Sequence, residues 1–152
     1  MATIQNPICD VSQNLNYFPQ RVIQTDQAGN AYASQDLSAL LSISGSSASS
    51  TQTATNQTNY MCRGVIVVFN VTALTGTNLT LTIQGVDGAS GVAYTLLAGS
   101  AVTTTGTYVY VVYPGASGTG TASLPLPHTW NVKVVPSSVT SATYTVGASV
   151  IL

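Results

Sequence analysis

His128 is the one histidine of the chain, and it lies in Leu124-Pro125-Leu126-Pro127-His128-Thr129-Trp130. A histidine acting as general base needs a nucleophile to activate and an acid to orient its ring. No Gly-x-Ser-x-Gly turn accompanies it, so its setting predicts a loop or strand-entry residue, with an interface as one place for it, rather than a catalytic group. The carboxylates are Asp10, Asp26, Asp36 and Asp87, with no glutamate, and their scatter does not suit the acid pair of a glycosidase. Asp87 stands in a glycine-rich turn. A hard cation there would need several oxygen ligands, and no carboxylate lies nearby in sequence, so turn formation is the expected role. Cys9 and Cys62 fit neither a disulfide framework nor a metal-ligand spacing and are expected to be free thiols. The run Gly115-Ala116-Ser117-Gly118-Thr119-Gly120-Thr121 lacks the lysine of a phosphate loop. These residues predict no enzyme, no cofactor and no metal.

The elements that must position these groups are β-strands. Leu79, Leu81 and Ile83 alternate with Thr80, Thr82 and Gln84; Trp130, Val132 and Val134 with Asn131 and Lys133; Tyr144, Val146, Ala148 and Val150 with Thr143, Thr145 and Gly147. Such alternation places one apolar set on one face of a sheet. Arg63 to Val71 is dense in valine and isoleucine, and Thr107 to Tyr113 has β-branched and aromatic residues at successive positions, as in a strand covered on both sides. Turns are expected at Leu74–Asn78, Asp87–Gly91, Thr105-Gly106, Pro114–Gly120 and Pro136–Ser138. Short strands without intervening helices predict an all-β fold, an antiparallel β-sandwich of jelly-roll-like form. Trp130 is its expected core anchor, with Leu81, Ile83, Val132 and Val146 beside it.

The first 59 residues read differently. Met1 to about Pro19 is an arm in which Ile4, Ile8, Val11, Leu15, Tyr17 and Phe18 interleave with amides; this pattern suits an extended peptide that gains order by lying along another chain, an interface with a partner or a sister subunit. A hairpin is expected within Arg21–Tyr32. Ser44 to Thr58 has no large apolar side chain, which predicts a mobile loop or an extended segment in isolation, with a neighbouring subunit as one surface for it to order against. One domain is expected overall, with residues 1–59 as arm, short strands and Ser/Thr-rich loop, and 60–152 as the body.

Charge is the other signal. Three basic and four acidic residues among 152 leave a net charge of −1, whereas soluble domains carry about a quarter charged residues. Arg21, Arg63 and Lys133 cannot build a phosphate-binding footprint, so nucleic acid is not an expected partner. The amino end has no basic start followed by an apolar run, so no secretory signal is expected; the longest apolar run, Val65 to Phe69, is too short to span a bilayer, and cytosolic synthesis is expected. A β surface of hydroxyls, amides and methyls has little to keep its copies apart. It predicts a component of an assembly.

The segments Arg63–Thr72, Leu81–Asp87 with Ala89-Ser90-Gly91, Thr105–Tyr108 with Val112–Gly115, Leu126–Val132 and Tyr144–Ala148 resemble small structural proteins encoded beside the capsid genes of tailed double-stranded DNA bacteriophages. The resemblance covers about Tyr60 to Leu152 and rests on strand and turn motifs; where that family often has an arginine before the tryptophan, this chain has His128 two residues before Trp130. It implies a jelly-roll capsid decoration, or cement, protein of the virion exterior. The major capsid protein would be its partner, and it would act as a homo-oligomer, a trimer favoured over a dimer. A glycan- or receptor-binding β-module on a fibre or surface is the alternative, with tyrosines and Trp130 as stacking platforms.

Overall fold

The computed structural model describes residues 36–152. The chain divides into two units, Met1–Tyr32 and Ala33–Leu152, and the second is the one whose strands are described. Its strands run in chain order as β1 (Asp36–Ile43), β2 (Gln52–Thr53), β3 (Gln57–Thr58), β4 (Gly64–Val86), β5 (Ala93–Ala98), β6 (Gly106–Val112), β7 (Thr121–Ala122) and β8 (Thr129–Ile151), with one 3-10 turn at Gly45–Ser49. The all-β class is as expected.

Two strands of 23 residues, β4 and β8, form the spine. They pair antiparallel from Gly64↔Ile151 to Gly85↔Trp130. On the outer side of β8 lie β1, then β2 and β3; on the outer side of β4 lie β6 and β5. All pairs are antiparallel except β6 with β7, which is parallel, so the sheet is mixed where an antiparallel one was expected.

The length of the spine departs from the sequence reading, which placed turns at Leu74–Asn78 and Pro136–Ser138. In the structure these two stretches face each other: Thr75 pairs with Ser141, Gly76 with Val139 and Asn78 with Ser137. Each keeps the other's backbone paired, so the ribbon bends at an elbow and continues. The register slips between Val71 and Ala73 and again between Thr75 and Gly76. At the elbow Gly76 has φ +142° and Ser138 has φ +48°.

Alternation then does what it predicts. Val65, Val67, Phe69, Val71, Leu79, Leu81 and Ile83 of β4 share one buried cluster with Trp130, Val132, Val134, Tyr144, Val146, Ala148 and Val150 of β8. Burial of each such large side chain contributes about 1.5–3 kcal/mol. Phe69 and Tyr144 meet edge to face, 5.4 Å between centroids, at positions diagonal across the pair. Strand β6 is covered on one side only: Tyr110 and Val112 are buried while Val109 is 53 % exposed. The expectation of cover on both faces fails because Val109 lies opposite Val68, itself 38 % exposed, and no described element crosses above them.

Ser44 to Thr58 also departs from expectation, being anchored to its own body. Ala48 and Ala54 are buried, the Ala54 amide donates to the Val132 carbonyl at 2.9 Å, and β2 and β3 pair with β8 at Val134, Lys133, Trp130 and Thr129. Methyl groups and backbone hydrogen bonds supply the anchoring that large side chains do not. The outer strands carry protection that composition hides. Strand β1 breaks register between Leu37 and Leu41, and the β4–β5 ladder breaks between Ile83 and Gln84. Irregularities of this kind blunt a sheet edge without using charge.

The Tyr144 hydroxyl is buried and has no hydrogen-bond partner, and burial pushes its pKa up to about 12. Tyr144→Phe removes a polar group that costs free energy to bury, so thermal denaturation is expected to show a neutral or stabilising change of up to about 1 kcal/mol. The neutral phenol is favoured in the native state and the unfolded state ionises first. Ionisation of this group therefore leaves stability unchanged below pH about 10 and lowers it as pH rises towards about 12. Tyrosinate absorbance should show one late phase coincident with unfolding, absent in Tyr144→Phe.

Candidate interaction surface

At the end of the sheet where β4 begins and β8 finishes, a short turn is fastened by one side chain. Asn59, 9 % exposed, donates from Nδ2 to the carbonyls of Cys62 at 2.8 Å and Leu126 at 3.0 Å, and its Oδ1 accepts from the Cys62 amide at 2.8 Å. The Asn59 amide donates to the His128 carbonyl at 2.7 Å, the Leu126 amide to the Arg63 carbonyl at 3.0 Å, and the Arg63 amide to the Ile151 carbonyl at 2.7 Å. Asparagine suits this task because its amide both donates and accepts like the backbone it replaces. Pro125 and Pro127 stiffen the facing segment, so Leu126 is held in the core while Leu124 is 42 % exposed.

This fastening holds apolar side chains in water. Tyr60 is 57 % and Met61 47 % exposed, between the buried Asn59 and Cys62. Tyr60 meets the His128 ring edge to face at 6.0 Å. The Arg63 guanidinium lies over the Tyr113 ring, 5.5 Å from its centroid, a cation–π contact that orients the charge without neutralising it. Tyrosine, methionine and arginine are the types enriched at protein interfaces.

The residues singled out by sequence have these places. Trp130 is fully buried and is a core anchor as expected; its indole N–H has no partner. His128 is exposed at the foot of β8, with Nδ1 at 3.3 Å from the Thr129 hydroxyl. Asp87 closes its own turn: the Ser90 hydroxyl and amide both donate to Oδ2. The hydroxyl bond first, then the amides of Ser90 and Ala89, hold its carboxyl below the usual range. Among the described residues no group of three or more His, Cys, Asp or Glu side chains gathers as a metal site would require. Cys62 is a free, buried thiol whose pKa desolvation pushes up, which makes it a poor nucleophile. The 115–121 loop is closed on itself, Thr121 Oγ1 donating to the Gly118 carbonyl at 2.8 Å and the Gly115 amide to Ser123 Oγ at 2.9 Å. Ile4, Ile8, Val11, Leu15, Tyr17 and Phe18, together with Cys9 and the Arg21–Tyr32 hairpin, lie outside the described residues.

Sequence reasoning gave Asn59, Tyr60, Met61, Arg63 and Leu124 no role in an interaction surface. The available signal was an asparagine just before a valine-rich strand, followed by two large apolar residues where turns are usually polar. No described helix is long and apolar enough to cross a membrane. Neither a protein-family model, nor a curated protein, nor a solved structure matches this chain.

Proposed function

We propose that this protein is a structural component of a virion, a jelly-roll-like decoration protein that binds the outside of an icosahedral phage shell and bridges neighbouring capsid subunits. One observation carries the reading: an all-β body whose charged residues from 36 onward are Asp36, Arg63, Asp87 and Lys133 holds Tyr60 and Met61 in solvent on a fastened turn. Such a surface favours apolar and hydrogen-bonded contacts with a partner over a solitary existence. The strand and turn resemblance to capsid-associated phage proteins supplies the identity of that partner. Binding the assembled shell and not its separated subunits stabilises the shell by mass action, and several modest contacts per oligomer make the attachment long-lived. The glycan-binding alternative loses its widest platform, because the Trp130 ring is inside the core.

Purified protein added to shells of the virus whose genome encodes it is expected to bind at saturable, symmetric occupancy. Particles lacking it are expected to assemble and to release DNA at a lower temperature. Light scattering should report a homo-oligomer, a trimer in preference to a dimer. Bare shells after incubation, with heat resistance unchanged, would refute the reading.

A further inference from the structure

We infer that the Asn59 turn is the docking surface of this protein, and that it receives a carboxylate-bearing apolar segment of the shell protein, with Arg63 taking the carboxylate. The inference rests on the shell-binding reading above and names the site and the chemistry of its partner. Three properties of the surface lead to it. Tyr60 and Met61 are exposed between residues that hydrogen bonds and burial lock in place, so their side chains meet a partner with little ordering cost left to the backbone. Leu124 extends the apolar area from the facing segment, whose Leu126 amide is bonded to Arg63. Arg63 is exposed, stacked on Tyr113, and forms no ion pair among the described residues. Its fork of donors is oriented and unspent, the arrangement that grips a carboxylate in two parallel hydrogen bonds.

Among the described residues a second copy offers Arg63 little to grip. From residue 36 onward the carboxylates of the chain are Asp36 and Asp87, and Asp87 already accepts from the Ser90 hydroxyl and amide. The register breaks in β1 and along β5 disfavour association by strand addition, which leaves side-chain docking as the route to a partner.

The test uses full-length protein and shells stripped of it, with occupancy read by co-sedimentation across a protein titration. Tyr60→Ser combined with Met61→Ser is expected to weaken binding by at least about thirty-fold, the effect of removing interface hot spots. Arg63→Gln is expected to weaken binding and to flatten its salt dependence, since a rim charge pair is screened by salt; Arg63→Lys should restore part of the salt dependence but not the full affinity. Val92→Ser, at a position 62 % exposed on the β4–β5 connection, is the control and should bind as wild type does. Circular dichroism melts confirm that each variant is folded. Wild-type occupancy by folded Tyr60→Ser/Met61→Ser and Arg63→Gln overturns the docking surface and leaves the shell-binding reading standing. Conversion of a free oligomer to monomer by these substitutions overturns it as well, assigning the surface to self-association. Failure of the wild-type protein to bind shells overturns the shell-binding reading, and the docking inference with it.

Discussion

Trp130→Ala is expected to lower folding stability by about 3–5 kcal/mol, the range for removing a buried aromatic ring from a close-packed core. The indole is 0 % exposed at the foot of β8, where Trp130 pairs with Gln57 on one side and Gly85 on the other. Alanine would leave a void lined by strands that are hydrogen-bonded on both sides and cannot move inward independently. The loss is therefore of contacts and of transfer free energy together. A domain of this size has about 5–15 kcal/mol in total, so the variant should melt far earlier or be recovered partly unfolded. Trp130→Phe separates packing from polarity. It keeps most of the apolar volume and removes an indole N–H that has no partner, and it is expected to lose less than about 2 kcal/mol. Chemical denaturation of the three proteins checks the order. A Trp130→Ala loss under about 1 kcal/mol would mean that the ring is not the anchor its burial makes it.

Gly76→Ala is expected to be the most damaging single methyl added to this protein, at about 3 kcal/mol or more. Two effects add. The residue has φ +142°, where L side chains are strained by about 1–3 kcal/mol. A Cβ there would also run into the Ser138 carbonyl oxygen and the Cα of Val139 across the ribbon, and these are backbone atoms that no rotamer change can clear. Gly91→Ala provides the comparison. Its φ is +71° and a Cβ would meet nothing within 4 Å, so it should lose only the conformational part, about 1 kcal/mol. Equal losses at the two positions, measured by denaturant midpoints, would show that the elbow does not hold the two strands in close contact.

These two positions also mark how far the sequence could be read. Trp130 was legible because it begins an alternating run, and alternation reports burial directly: with a period of two, every second side chain shares a face. The same holds for Leu79, Leu81 and Ile83 and for Tyr144 to Val150, all of whose apolar members are inside. Gly76 was legible only as a turn residue. Glycine, threonine and asparagine at Leu74–Asn78 permit a reversal of the chain, and equally permit a bend within a pair of strands. Which occurs depends on whether a second pliable stretch lies opposite, and that partner, Ser137–Ser141, is some sixty residues away.

By itself, then, the sequence determined the all-β class, the inward-facing set, the core position of Trp130 and the scarcity of charge, because each depends on local periodicity or on composition. The tertiary structure decided the rest. It joined four expected strands into two long ones, ordered Ser44–Thr58 against β8 through two buried alanines, and left the outer face of β6 open at Val109. It alone assembled the Asn59 turn, since an asparagine amide reads as a loop residue until the carbonyls of Cys62 and Leu126 are brought within 3.0 Å of it. Hydrogen bonds between residues 67 positions apart in the chain leave no periodic trace in sequence, and the exposed Tyr60 and Met61 acquire their meaning only from the rigidity those bonds impose.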